Sequence, residues 1–421
     1  MNNQFVFDSK LKTTLLGVMG VGLLCLILAF FMDDQPHHAR FWSNFLHNSV
    51  FFTGIALMGL FALSAFITAW AGWYTVIKRI LEAYAQFLGV GIILMGIVTI
   101  GIWGHFHHLY HWADAEAVAS DEILEGKSGF LNKGWYTFGS MGFLVVWYLF
   151  ARWLRKASLD EDEGGSAHDY SFHKRQRFLS ALFLPFAGFT ACAVVWLWVM
   201  SVDAHWYSTL FAWYNMASWF VSFIAITILT VLFLKSRGYL TNVSDEHLHD
   251  LGKYMFAFSV FWTYLWFSQY MLIWYANVGE ETIYFFHRRE NYPVLFYGNL
   301  IINFVVPFFV LMRNDTKRKF GTLFVIAIVV LFGHWWDFFQ MLKPGILITA
   351  QESAAHGTEA AGHGHEAVGF VEGFTIPGLL ELGTFVGFLA LFFYVGFHYL
   401  SKAALQPKHD PYMGESLHHH V

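Results

Sequence analysis

Three ionisable residues stand among apolar ones: His334 and Asp337 in LFGHWWDFFQM, and Glu381 in IPGLLELGTFV. At i and i+3, His334 and Asp337 share one face of a helix. An ionisable side chain costs roughly 2.5–3.5 kcal/mol at the centre of a bilayer, and less towards its edge. A chain that keeps such groups there pairs them or uses them. Counted along their helices at ~1.5 Å per residue, Asp337 lies roughly 8 Å and Glu381 roughly 6 Å below the outer ends. They are expected at matching depth, within reach of each other, with His334 a turn deeper. An imidazole that exchanges protons near neutrality, flanked by two carboxylates, suits a proton relay. The competing reading is a hydrogen-bonded patch at the headgroup boundary.

Further carboxylates sit at the outer mouths of helices. Glu280 and Glu281 are followed by Arg288 and Arg289, and Asp203 and His205 leave another helix on the same side. An ion-paired rim is the simplest reading, and a proton exit is the alternative. Within DLGKYMFAFSVFWTYLWFSQYMLIWYANVGEETIYFFHRR (residues 250–289), Tyr264, Ser268 and Tyr275 fall at i, i+4 and i+11, with Gln269 beside them. Hydroxyls and amides in hydrocarbon need partners, so this face is expected to meet protein and not lipid. The pair Lys78 and Glu82 has the spacing of a helical ion pair. His334 is the one histidine well inside an apolar run, with His398 near the end of another, so the facing His pairs of a transmembrane haem are not expected. Cys25 and Cys192 have no metal-ligand spacing. No nucleotide loop or catalytic triad stands out, and nothing points to nucleic acid.

The elements that must position these residues are membrane helices. The 421 residues are 57% hydrophobic and 13% charged, where soluble proteins carry about 25% charged residues. Ten spans are expected, at 12–32, 50–70, 84–104, 133–152, 178–200, 214–235, 254–276, 294–312, 320–342 and 376–400. The first lacks a small-residue cleavage site and reads as a retained helix. With ten crossings, 19 of the 25 Lys and Arg fall on the side of the N terminus. Arg40, Lys127, Lys133, Arg288, Arg289 and Lys343 fall on the other. The positive-inside rule then puts both termini in the cytoplasm.

The fold expected is an all-α integral membrane protein of two four-helix bundles, spans 2–5 and 6–9, flanked by spans 1 and 10. The corresponding divisions are 1–49, 50–200, 201–342, 343–375 and 376–421. Residues 105–132 open with His105, His107, His108 and His111, ordinary types at a membrane interface. Residues 153–177 read as a mixed-charge surface segment. Residues 343–375, with His356, His363 and His365, read as a solvated low-complexity loop. Asn215, Ser218 and Ser222, and likewise Asn299 and Asn303, form small polar stripes suited to helix packing. Pro307 deprives Asn303 of a donor and predicts a kink, Pro185 a loosening near Ala181, and Pro377 the first residue of span 10.

FSQYMLIWYANVGEE (Phe267–Glu281), preceded by DLGKYMFAF (Asp250–Phe258), resembles the seventh helix of the membrane subunits of alternative complex III. These are part of the polysulphide-reductase-type superfamily. AGWYTVIKRILEA (Ala71–Ala83) resembles the turn after their second helix. Gly279 stands where proline is expected in related sequences. The resemblance implies a subunit of a quinol:cytochrome c oxidoreductase, in the shorter of two paralogous ten-helix forms. Its partners would be multihaem cytochrome c, an iron–sulfur subunit and the paralogous membrane subunit. This chain would bind no redox cofactor and would scaffold the complex and conduct protons through His334, Asp337 and Glu381, with Glu280, Glu281, Asp203 and His205 as further candidates. The alternatives are a quinol pocket lined by Tyr264, Ser268, Gln269, Tyr275 and Glu280, and a stand-alone transporter.

Overall fold

The computed structural model describes residues 4–166, 169–355 and 369–420, and over these the chain is all-helical. His356, His363 and His365 lie outside the described residues. In chain order the helices are α1 (Ser9–Phe31), α2 (Ala39–Thr68), α3 (Lys78–Ala85), α4 (Leu88–Trp103), α5 (Ala115–Ser120), α6 (Glu122–Lys127), α7 (Lys133–Gly164) and α8 (Ser171–Trp198). Then come α9 (Leu210–Ser236), α10 (Asp245–Ala276), α11 (Gly279–Asn291), α12 (Pro293–Leu300), α13 (Val306–Leu311), α14 (Phe320–Ala355), α15 (Leu379–Leu400) and α16 (Met413–Leu417).

Among the described residues, nine helical stretches are long and apolar enough to cross a membrane. The 32-residue α10 is not one of them. It is ~48 Å long, but Trp, Tyr, Thr, Ser and Gln dilute its apolar run. The most enclosed are α2 and α9, with 83% and 89% of their apolar windows buried; α1 is the least, at 17%. α2 and α9 carry polar side chains that need protein partners, whereas α1, apolar on all sides, suits lipid. In the centre α2 packs on α3, α4, α8, α9 and α14, while α9 packs on α8, α10 and α14. α1 lies along α15. A Cβ at Gly22 would collide with the backbone of Gly387. Where helices cannot gain hydrophobic energy from leaving lipid, such glycines let backbones approach and recover dispersion contacts.

Several boundaries differ from expectation. α2 begins at Ala39, about three turns before residue 50, and α14 runs to Ala355, well past residue 342. Both extensions carry buried polar side chains, which a search for apolar runs cuts off. α7 and α8 likewise extend into the segment expected as a surface loop, and Glu161 and Gln176 there are buried. α15 starts at Leu379, because Glu381 caps the backbone N–H of Gly378 (3.0 Å) and fixes the first turn beyond Pro377. Before Pro307 the chain makes a π-helical turn over Ile301–Val305, which absorbs the missing donor by widening the coil. α8 continues unbroken through Pro185.

Lys78 and Glu82 do not pair with each other. Lys78 Nζ is 2.6 Å from Asp410 and 3.8 Å from Glu161, while Glu82 takes Arg79 at 2.8 Å and Arg155 at 3.8 Å. Lys78, Arg79 and Glu82 on α3 and Arg155 and Glu161 on α7 are all buried, and Asp162, which takes Arg79 at 2.5 Å, is half-buried. The segment after α15 seals this cluster. Lys408 N donates to Asp162, Ser416 Oγ to the Trp73 carbonyl, and His419 meets Asp250 at 2.6 Å.

Burial pushes the Asp410 carboxyl up, but the charge and hydrogen bond of Lys78 outweigh it and hold the group below the usual aspartate range. A depressed folded value means that this stabilisation is present above the unfolded value and is lost as pH falls through the folded one. Asp410→Asn is therefore expected to cost about 3 kcal/mol near neutrality and to flatten the acid limb of stability against pH. Melting followed by tryptophan fluorescence from pH 7 to pH 3 reads both.

Candidate functional site

α9, α10, α12 and α14 converge on one carboxylate. Asp337, fully buried, accepts from Tyr214 Oη and from Asn299 Nδ2 (2.7 Å) on Oδ1. On Oδ2 it accepts from Ser218 Oγ (3.0 Å) and the Trp262 indole N–H (3.0 Å). Each donor is set by its helix. Tyr214 and Ser218 are one turn apart on α9, and Asn303 Nδ2 donates to Asn299 Oδ1 (2.6 Å) and to the Gly333 carbonyl (2.8 Å), fixing that amide. Among the described residues no cation pairs with Asp337; all four donors are neutral.

His334 joins through a hydroxyl. Its Nδ1 lies 2.9 Å from Ser218 Oγ, so an Nδ1–H imidazole donates to Ser218 while Ser218 donates to Asp337. That tautomer is assigned from the network, because it lets the single hydroxyl proton serve the carboxylate. His334 Nε2 is buried and has no hydrogen-bond partner, which leaves a lone pair open at the far end of the chain. The order is imidazole, hydroxyl, carboxyl, phenol: four groups that each both give and take a proton. If Asp337 is protonated, its O–H can donate to Tyr214 or Ser218, since both oxygens also accept. Either protonation state fits the cage without a change of fold.

Glu381 is elsewhere. Arg40 reaches it with Nε at 2.9 Å and Nη2 at 3.2 Å, and Asn44 Nδ2 donates to it at 2.9 Å. The other face of Asn44 accepts from the buried Lys343 Nζ at 2.6 Å, which also donates to Ser43 Oγ at 2.7 Å. The expected contact between Asp337 and Glu381 is not formed: Glu381, in the first turn of α15, is held by the start of α2, whereas Asp337 is held by α9, α10 and α12.

The remaining candidates disperse. Asp203 pairs with Arg288 (2.8 Å), whose guanidinium lies 3.5 Å from the centre of the Tyr284 ring and donates to the carbonyls of Gln340 and Met341. His205 meets Asp121 at 2.5 Å. Arg289 takes Glu290 at 2.8 Å. The expected ion-paired rim is formed in part: Asp203 pairs with Arg288, whereas Glu280 and Glu281 pair with neither Arg288 nor Arg289. Glu280 is exposed. Glu281 is half-buried and its carbonyl accepts from Trp206. Both lie in the first turn of α11, where their charge complements the helix dipole, as Arg288 and Arg289 do in the last.

On α10 the expected face is the wrong one. Tyr264 and Tyr275 are 64% and 84% exposed, and Ser268 is half-buried. The buried stripe is Trp262, Leu265, Trp266 and Gln269. At 100° per residue, Gln269 points about 140° away from Tyr264. Two aromatic rings of indole size bury more area than two phenols, and so they decide the rotation of the helix. Tyr264, Ser268, Gln269, Tyr275 and Glu280 therefore do not enclose one quinol pocket on this chain.

Reading by apolar runs missed Arg40, Asn44, His47 and Lys343. The signal was present: Arg40, Ser43, Asn44, His47 and Asn48 follow i, i+3, i+4, i+7 and i+8, a helical polar stripe that begins ten residues before the expected span. It leads inward. His47 Nε2 meets the Trp335 carbonyl at 2.9 Å, and Trp335 Nε1 donates to Asn48 Oδ1 at 3.0 Å.

Among the histidines of residues 105–132, His107 is buried against Trp42 and meets the Val98 carbonyl at 3.1 Å; burial lowers it to about 4. His111 pairs with Glu352 at 3.2 Å, and His105 lies 3.3 Å from Lys133. Among the described residues no three His, Cys, Asp or Glu gather as a metal site. Compared with known proteins, the chain matches no protein-family model and no curated protein.

Proposed function

We propose that this chain is a proton-conducting membrane subunit of a quinol-oxidising respiratory complex. The observation that carries proton conduction is Asp337: a fully buried carboxylate held by four neutral donors and joined through Ser218 to an imidazole with a free ring nitrogen. In this reading a proton enters at His334 Nε2 and leaves Nδ1 for Ser218 Oγ as Ser218 passes its own proton to Asp337; the neutral carboxylic acid then hands a proton to Tyr214 only as Tyr214 releases its own phenolic proton beyond the cage. The His334 ring then resets by exchanging its remaining proton. Electron transfer from quinol to haem c passes through partner subunits that carry the haems and iron–sulfur clusters. The assembly half of the proposal rests on the resemblance of Asp250–Glu281 to alternative complex III membrane subunits.

The same reading gives α10 as a tenth crossing, with two four-helix bundles, α2–α8 and α9–α14, flanked by α1 and α15. Both termini face the cytoplasm of a prokaryotic inner membrane. The support for this orientation is the 19-to-6 division of Lys and Arg. The outward aromatic face of α10, with Tyr264, Phe267 and Tyr275, suits contact with another membrane subunit or with lipid.

Purification from native membranes under mild detergent tests the assembly. The expected result is copurification with haem-staining c-type cytochromes and a paralogous ten-span subunit. Isolation of this chain alone or as a homo-oligomer would overturn it in favour of a transporter. Quinone retained by this chain without its paralogue would overturn the division of labour and make it the quinol-binding subunit.

A further inference from the structure

We infer that the cleft between α4, α7 and α15 binds an anionic phospholipid with hydroxyls on its headgroup. The cleft has a volume of about 360 Å³. Its deeper wall is apolar, from Val90, Ile93 and Val395, and Tyr148 lies over Gly89. Its shallow end, where α4 begins and α15 ends, carries Gln86, His398 and Tyr399. An acyl chain fits the first part and a polar head the second.

Two observations select the head. The first is charge. Lys12 and Lys402 are exposed and both act electrostatically on His398; Lys402 also lies 5.1 Å from the Tyr399 ring centre. Behind Tyr399 the Arg155 guanidinium donates to its carbonyl at 2.7 Å and lies 5.5 Å from its ring. The nearby carboxylate, Glu82, is already taken by Arg79 at 2.8 Å and lies 3.8 Å from Arg155. Net positive charge therefore frames the mouth and attracts a phosphate.

The second observation is an unmet acceptor. Gln86 is 2% exposed, and its Nε2 donates to the carbonyls of Glu82 and Ala151. Its Oε1 is buried and accepts nothing. A buried carbonyl oxygen left without a donor costs about 1–3 kcal/mol. Gln86 lines the cleft, and a headgroup hydroxyl beside that phosphate is the kind of donor its Oε1 lacks. Phosphatidylglycerol has this pair of groups. Phosphatidylcholine has the phosphate, but it offers no donor and carries a cation that meets the lysines unfavourably.

The test uses the full chain, delipidated in detergent and titrated with phosphatidylglycerol, phosphatidylcholine or a long-tailed quinone. Retained lipid is counted by native mass spectrometry and stability is read by melting. Phosphatidylglycerol is expected to be retained in preference to phosphatidylcholine and to raise the melting temperature. Lys12→Gln and Lys402→Gln, both on exposed side chains, are expected to lower that preference about fivefold each. Gly89→Leu, whose Cβ would stand 3.0 Å from the Tyr148 ring, is expected to abolish retention, whereas Gly96→Leu on the same helix leaves it unchanged. Equal retention of the two phospholipids, displacement by the quinone, or undiminished retention in Gly89→Leu would overturn the site.

Discussion

Asp337→Asn is expected to fold and assemble but to reduce proton translocation per electron by about a hundredfold, the scale set by a positioned proton-transfer group. The substitution conserves shape and removes one property, the ability to carry a proton between Ser218 and Tyr214. The cage shows how an amide is tolerated. Trp262 can only donate, so the amide oxygen must face Trp262 and Ser218, leaving the NH2 towards Tyr214 and Asn299. Tyr214 can turn to accept. Asn299 cannot flip freely, because its oxygen already accepts from Asn303. One donor is thus left facing another, at a cost of about 1–2 kcal/mol, too little to unfold a membrane bundle. Proteoliposomes containing the whole complex, driven by quinol and read with a pH dye, separate transport from electron flow. Full translocation in an intact Asp337→Asn complex would sink the relay.

Glu381→Gln is expected to do the reverse, costing about 3–5 kcal/mol of stability while each surviving complex translocates normally. Arg40 and Lys343 lie buried around that carboxylate, and removing its charge leaves both short of compensation, Arg40 keeping only the exposed Glu372 at 3.1 Å. Unlike Asp337, Glu381 is held at a helix start by three fixed donors, the Arg40 guanidinium, the Asn44 amide and the Gly378 N–H. Such a pairing leaves the group no neutral partner to which it can pass a proton. Arg40→Met combined with Glu381→Gln is expected to recover part of the loss, because one of those two charges is gone. Melting of the single and double variants closes the cycle. A single-variant loss below about 1 kcal/mol would mean that the pair behaves as a surface salt bridge.

The sequence made the helices legible where apolar residues run together, and Ser218, Asn299 and Asn303 stood out as stripes before their common target was known. What it did not give was rotation and depth. The α10 hydroxyls follow a sound helical period, yet Trp262 and Trp266 compete for the same helix and claim the interior. Arg40 and Lys343 were assigned to water because charge usually ends a span. Here the charges compensate across α2, α14 and α15, and that compensation lies between residues some 300 positions apart. The pairing of Lys78 with Asp410 escaped for the same reason: its local alternative, Glu82, fits the helical rule and loses to a tertiary partner.

That last pairing has a consequence for biogenesis. Asp410 follows Lys78 by 332 residues. At about 5–20 residues per second, the ribosome delivers the anion roughly 20–70 s after the cation. For that interval Glu161, 3.8 Å from Lys78 in the finished fold, is the anion available to the ammonium group, and the closing segment brings the nearer carboxylate last. A chain halted before Asp410 lacks the closer of the two carboxylates and the segment that covers the cluster.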